Sequence, residues 1–395
     1  MLRILSDPRA AGVLACFGLL LIGWSGLLVP SLIREIERDF VQTDAGLGLY
    51  YFVGGAAYAT GSFTGGMLTE RFGRRRVLTI ATLLIGFGTA VLGLVPVWLV
   101  VLAAAIPSGF GSGAIDGGMN GLVLDLFPTA RGRALNTLHL FFGVGALSSP
   151  LVVGRIVEAG IPWQAVVVGT AVITIPFAIL WTVVSMPHGR HRASAAVAGE
   201  PKAGRLAFRW PLIALEVGIA CYVASEIGVS NWLIRFLEEV PLATATTALS
   251  LFWGGLALGR LVSARYSDRF DHLKYATASA FAAGLATIAA VVVPSTEASI
   301  ALFAVVGFAS GPVFPLIVAI GGERHPGRTS AVSGFLTSAA VIGGLLYPPI
   351  MGFLSVNVGL PVAMIGAGLL GVGCAGALLL ARPRARVGAG DMSTA

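Results

Sequence analysis

Apolar residues fill this chain in long blocks, separated by short polar segments rich in Arg, Gly, Pro and Asp. Each block is close to the roughly 20 residues that a helix needs to cross a bilayer. The pattern predicts twelve spans, at 10–30, 45–69, 76–95, 98–126, 132–157, 162–185, 209–237, 243–266, 274–293, 298–320, 329–354 and 358–381. Short alternating segments, the mark of a transmembrane barrel, are absent. The fold class is therefore all-α integral membrane. The first block is too long for a signal-peptide core and no small-residue cleavage site follows it, so it is read as the first span. Many blocks are rich in glycine, which lets helix backbones approach closely.

The polar segments orient the chain. With the N-terminus in the cytoplasm, 21 of the 26 Lys and Arg fall in cytoplasmic segments, including Arg71, Arg74, Arg75 and Arg76 after the second span. Arg34, Arg38, Arg155 and Arg235 lie on the outer side, and Arg260 lies within a span. The positive-inside rule then places both termini in the cytoplasm of a multi-pass protein of the plasma (inner) membrane.

A single ungapped offset of 198 positions relates the two parts of the chain. It joins Gly61 with Gly259, Glu70 with Asp268, Arg71 with Arg269, Gly109 with Gly307, Gly113 with Gly311, Gly145 with Gly343, Pro150 with Pro348 and Gly154 with Gly352. The expected organisation is two six-helix halves, 1–186 and 209–382. A flexible cytoplasmic linker at 187–208 joins them, and a small polar tail at 383–395 is expected to be disordered. A duplicated six-span unit is the architecture of many transporters, with substrate held near the midplane between the halves.

Composition narrows the function. Hydrophobic residues make up 56% and charged residues 11%, against about 25% charged in a soluble domain. The net charge of +7 sits in short loops without aromatic interleaving, so nucleic acid is not an expected partner. Cys16, Cys221 and Cys374 fall inside apolar blocks and read as reduced thiols, with no disulfide or metal site. No phosphate loop, dinucleotide fingerprint, zinc spacing or nucleophile elbow is present. A cofactor, a nucleotide and an enzymatic activity are all unexpected. The partners left are the lipid bilayer and a small-molecule substrate, and the energy source left is an ion gradient.

The segment at 106–128 carries the most informative chemistry. Asp116 and Asn120 stand four residues apart, on one helix face. A carboxylate at membrane depth costs roughly 2.5–3.5 kcal/mol on insertion scales, so it normally faces a cavity or a partner. A hydrogen bond to a neighbouring helix is the plainer alternative. Span seven adds Glu226 near mid-membrane, with Asn231 and Trp232 beyond it. Trp24, Trp232 and Tyr347 offer flat rings on which a sugar could stack, although aromatics near span ends more often form an interfacial belt. His139 could share a proton or a hydroxyl, or simply bond helix to helix.

The run Gly66-Met-Leu-Thr-Glu70-Arg71-Phe-Gly73-Arg74-Arg75-Arg76 resembles the loop motif of the major facilitator superfamily. Its second copy is Gly259-Arg260, Arg265 and Asp268-Arg269. The resemblance covers essentially the whole chain. It implies that Gly66, Glu70, Arg71, Arg75, Arg260, Asp268 and Arg269 form a gate on the inner side. Simple charge anchoring is the competing role. Asp116-Gly-Gly-Met-Asn120 and Leu135-Asn136-Thr-Leu-His139-Leu-Phe-Phe142-Gly143 resemble the fourth and fifth spans of the fucose-permease-like sugar symporters. That likeness implies proton coupling at Asp116, with Asn120 and His139 near the sugar. Phe142 stands where a sugar-contacting Asn is found, and span one carries no acid, which separates this chain from fucose carriers.

In the shared fold spans one, four, seven and ten line the cavity, which puts Glu226 opposite Asp116 as a second proton-coupling candidate. The expected function is proton-coupled uptake of a monosaccharide or similar small polar solute by a monomer. The alternatives are a proton-driven exporter of drugs or metabolites and, in another class, a membrane sensor. A Gly145…Gly154 stretch close to an antiporter pattern is read as a Pro-kinked packing helix.

Overall fold

The computed structural model describes residues 8–127, 129, 131–186, 210–325 and 328–382. The expected linker at 187–208 and tail at 383–395 lie outside the described residues. The described chain is helical: α1 (Pro8–Gly26), α2 (Leu28–Ser31), α3 (Ile33–Phe40), α4 (Asp44–Phe72), α5 (Arg74–Leu94), α6 (Trp98–Leu126), α7 (Arg131–Glu158) and α8 (Trp163–Val183) form an N-terminal set. A C-terminal set follows: α9 (Trp210–Phe236), α10 (Leu242–Tyr266), α11 (His272–Val292), α12 (Thr296–Ser310), α13 (Val313–Arg324), α14 (Thr329–Val358) and α15 (Leu360–Leu380).

Among the described residues, eleven segments are long and apolar enough to cross a membrane. The helix expected at 45–69 forms as α4, 29 residues long, but is not among the eleven. Its seven glycines, three tyrosines and several hydroxyl residues dilute its apolar character. The span expected at 298–320 is two helices, broken between Ser310 and Val313 where Pro312 removes an amide donor.

Local chemistry sets the helix ends. The Thr43 side chain accepts from the Gly46 amide and caps α4, while Asp271 and Ser295 do the same for α11 and α12. Gly73 reverses the chain between α4 and α5 at φ 84°, a conformation that side chains resist. Val41 ends α3 in the left-handed region at φ 51°, uncommon for a β-branched residue. That turn brings Asp44 back beside α3.

The 198-residue repeat of the sequence reappears as a repeat of contacts. A Cβ on Gly61 would overlap the carbonyl of Phe110, and one on Gly259 the carbonyl of Phe308. Gly109 faces the Gly54 carbonyl as Gly307 faces that of Phe252, and Gly113 faces Tyr58 as Gly311 faces Leu256. Each pair keeps the same offset, so α4 rests on α6 by the same backbone contact that sets α10 on α12. Gly154 against Thr246, and Gly352 against the Asp44 carbonyl, bring the two sets together.

Among the described residues, the sets meet toward one end. There α3, α4, α7 and α8 pack with α9, α10 and α14 around a fully buried Trp232 and Phe252. Among the described residues, every hydrogen bond or ion pair joining the two sets lies toward this closed end. At the opposite, open end the bonds stay within one set, as with Arg75 to the Val184 carbonyl (3.0 Å) and Arg324 to the Ala381 carbonyl (2.7 Å).

Gly61→Ala or Gly259→Ala should destabilise the protein by about 1–3 kcal/mol, as overpacking usually does. Gly373→Ala, where an added Cβ meets nothing within 4 Å, should leave stability unchanged. Melting of the detergent-solubilised variants measures this, and equal melting temperatures for all three would show that the helices can move apart freely.

Candidate functional site

The separation of the two sets leaves a polar centre between them. On the N-terminal side it is built on α6. Asp116 accepts a hydrogen bond from the Tyr58 hydroxyl of α4 at 2.9 Å and another from the Asn120 side-chain amide at 3.2 Å. The tight α4–α6 contact is what brings Tyr58 within reach. The Asn120 carbonyl oxygen is buried without a hydrogen-bond partner. His139 of α7 is exposed, yet near enough to Asp116 and to Arg260 for their charges to act on it. Because those residues belong to opposite sets, the His139 ring faces the space between them.

On the C-terminal side the Tyr222 hydroxyl donates to Glu226 one turn along α9. Arg260 of α10 lies beside both. Here the gate reading of Arg260 meets a different placement, because the residue stands with the central polar groups. Its helix neighbours on that face, Trp253 and Leu256, are buried. Trp253 donates to Ser230 at 3.0 Å and sets its ring edge-on to Phe142 of α7, with centroids 6.0 Å apart.

The other sugar-contact candidates are engaged in contacts between helices. Trp24 donates its indole N–H to Thr170 at 3.0 Å, tying α1 to α8. Trp232 is fully buried at the closed end, edge-on to Tyr51 at 5.9 Å, with its indole N–H unpaired. Tyr347 donates to the Ala363 carbonyl at 2.9 Å and joins α14 to α15. Asn231 accepts from Tyr51 through its backbone carbonyl at 3.4 Å.

The remaining gate candidates are not brought together across the sets. Arg71 stacks over Phe72 at 5.3 Å and Arg269 over Tyr266 at 5.1 Å. Glu70 and Gly66 lie at the open end of α4, and the Asp268 side chain is 98% exposed. Arg75 bonds within its own set.

A second cluster, at the closed end, was not singled out from the sequence. Arg235 of α9 meets Glu37 of α3 at 2.9 Å, Asp44 of α4 at 3.1 Å, and Glu238 one turn away. Asp44 also accepts from Ser355 of α14. Arg34 donates to the Ile234 carbonyl at 3.0 Å, the Val240 carbonyl at 2.8 Å and the Leu237 carbonyl, which caps the end of α9. A cavity of about 1000 Å³ opens beside this cluster, lined in part by Arg34, Glu37, Asp44, Arg235 and Thr296. Burial pushes the Glu37 carboxyl up to about 9, helped by Asp44 beside it and opposed by Arg235. Asp44 is raised by burial but held below its usual range overall, by hydrogen bonds from Glu37 and Ser355 and by Arg235. The pair thus shares one proton, held on Glu37. The only sequence signal was two arginines stranded on the side opposite the positive loops.

Two helical sets joined at one end, with facing acids, a histidine and an arginine between them, are the build of a membrane transporter. A family profile described as the Major Facilitator Superfamily matches residues 13–240 and 217–392, and the chain belongs to that superfamily. Among its relatives, a protein named glucose/galactose transporter of Brucella abortus biovar 1 (strain 9-941) is 24% identical over 366 residues, covering 86% of this chain and 85% of that one. A probable sulfoacetate transporter, SauU, of Cupriavidus necator is also 24% identical, covering 87% of each. The fold matches a bacterial homolog of the human lysosomal transporter Spinster, in an inward-facing and occupied conformation. Its TM-score is 0.80 at 17% identity, over 95% of this chain and 97% of that one. A D-xylose–proton symporter matches at 0.75 and 17% identity, over 93% and 96%.

Opening the closed end would release Glu37 to water and to its ordinary range near 4.5. Closing therefore binds a proton between about pH 4.5 and 9, and becomes about tenfold less favourable for each unit that pH rises in that window. Spin labels on Val41 and Glu239, in a variant whose cysteines are replaced, should report a closed population that falls from pH 5 to pH 9. Glu37→Gln should flatten that profile. An equally steep profile in Glu37→Gln would assign the proton to another group.

Proposed function

We propose that this protein is a secondary active transporter that works by alternating access and carries a monosaccharide or similar small polar solute inward with a proton. The observation that carries this reading is the asymmetry of the two sets, locked at the Arg235 end and parted at the other around Asp116, His139, Glu226 and Arg260. With the orientation that the loop charges favour, the parted end faces the cytoplasm, and the structure corresponds to the inward-open half of a cycle. The family supports the remaining organisation: twelve spans with α4 as the second, two six-helix halves joined by the 187–208 segment, both termini cytoplasmic, and a monomer in the plasma (inner) membrane. Relatives named for glucose/galactose and glucose/mannose transport support a sugar, and one named for sulfoacetate extends the range to a small organic anion.

Proton coupling is assigned to Asp116. A charged carboxylate is costly to enclose in an occluded, water-poor centre, whereas a protonated one is not. Tyr58 and Asn120 both donate to it, so each protonation state retains partners. In this reading Asn120 and His139 would meet solute hydroxyls, and Glu226 would share the proton from the other side. Glu70, Arg71, Asp268 and Arg269 would pair across the sets only when the parted end closes. Trp24, Trp232, Asn231 and Tyr347 support the walls of the site.

Asp116→Asn fixes the side chain in a form that carries no charge. In right-side-out vesicles with an inward proton gradient it should abolish uphill accumulation of labelled hexose while leaving counterflow exchange within about threefold of the parent. Undiminished accumulation would move the proton to Glu226 or His139. Accumulation in inside-out vesicles alone would identify an exporter instead.

A further inference from the structure

Among the described residues, Arg260 is a cation at membrane depth with no carboxylate in ion-pair contact. On α10 it continues the face of Trp253 and Leu256, at helical spacing. Trp253 touches Phe142 of the N-terminal set, so this face looks across the gap. Two turns beyond Trp253 toward the open end, where the sets have parted, Arg260 is exposed.

Arg260 hydrogen-bonds the neutral Tyr222 hydroxyl, whereas the other arginines of the helix junctions hold carbonyls or carboxylates. Arg34 holds three carbonyls, Arg235 meets three carboxylates, Arg74 pairs with Asp125, and Arg75 and Arg324 each hold a carbonyl. Among the described residues, no carboxylate stands within 4.0 Å of Arg260, although Glu226 is close by. The Tyr222 hydroxyl, donating to Glu226, occupies the acid that could have paired with it. A cation at membrane depth is expensive and persists where it has a task. A guanidinium presents a fork of N–H donors that matches the two oxygens of a carboxylate.

We propose that the solute itself supplies the missing anion: the substrate class is sugar acids, hexose-sized polyhydroxylated monocarboxylates, with the carboxylate seated on Arg260 and the hydroxyls toward Asn120 and His139. This rests on the transporter reading above and narrows it. The exposed His139 ring lies across the gap from Arg260, and the Asn120 side chain stands one turn from Asp116 on the same wall. A neutral hexose would leave the guanidinium without its anion.

The test is a binding panel on the purified full chain in detergent, with D-glucose, D-galactose, D-glucuronate, D-gluconate and sulfoacetate as probes. Glucuronate or gluconate should bind at least tenfold more tightly than either neutral hexose. Arg260→Gln should weaken the acid at least tenfold without lowering the melting temperature, and Arg260→Lys, which keeps the charge but loses the fork, should fall between. Glucose binding as tightly as the acids, or acids indifferent to Arg260→Gln, would overturn the assignment while a sugar transporter remained. Sulfoacetate as the sole ligand would overturn the sugar part and leave an anion site. If Arg260→Gln fails to fold, the comparison of ligands on the parent decides. Binding of none of the five, with uptake of amphipathic drugs instead, would end both readings.

Discussion

Inside a bilayer a polar side chain has no water to fall back on, so it must meet another polar group or face a cavity. In this protein that requirement is met by bringing helix backbones into contact. Glycines at Gly61, Gly109 and Gly113 let α4 lie against α6, and only that closeness puts the Tyr58 hydroxyl on Asp116. The matching glycines at Gly259, Gly307 and Gly311 fix α10 against α12, and so fix the height at which Arg260 enters the centre. The small residues serve the chemistry by setting where the large polar ones can stand.

The same requirement explains why one end is closed. Arg34 and Arg235 lie between the sets, and each reaches across the boundary: Arg34 to carbonyls at the end of α9 and in the turn after it, Arg235 to carboxylates of α3 and α4. An arginine in such a place holds two bodies together. Charges at the parted end behave differently. They stack on their own aromatic neighbours or bond within their own set, and nothing there ties the sets together among the described residues. The 198-residue repeat places one acid–arginine pair in each set at this parted end, Glu70-Arg71 and Asp268-Arg269.

Desolvation links this geometry to protons. Glu37, enclosed beside Asp44, holds its proton well above the usual carboxylate range, since two adjacent carboxylates cannot both stay charged beside one arginine. Enclosure of this cluster and the proton on Glu37 therefore go together.

The sequence alone determined the class: block length set the membrane helices, the loop arginines set the expected orientation, and the constant offset set the duplication. It also singled out Asp116, Asn120, His139 and Glu226, because a polar residue inside an apolar run is conspicuous against its background. Tertiary structure decided which of them meet. Tyr58 looked like one more aromatic in a glycine-rich helix until α4 lay on α6. Arg260 sat among motif residues that suggested a gate, and only the packing of α10 placed it beside Tyr222 and Glu226. Trp24, Trp232 and Tyr347 could have faced a cavity or a neighbouring helix with equal ease, and in this conformation each packs on helices. The Arg235 cluster was invisible along the chain because its members are separated by up to 318 positions, from Glu37 to Ser355. Charge pairs of that kind follow from which helix ends meet, and local sequence carries no record of that meeting.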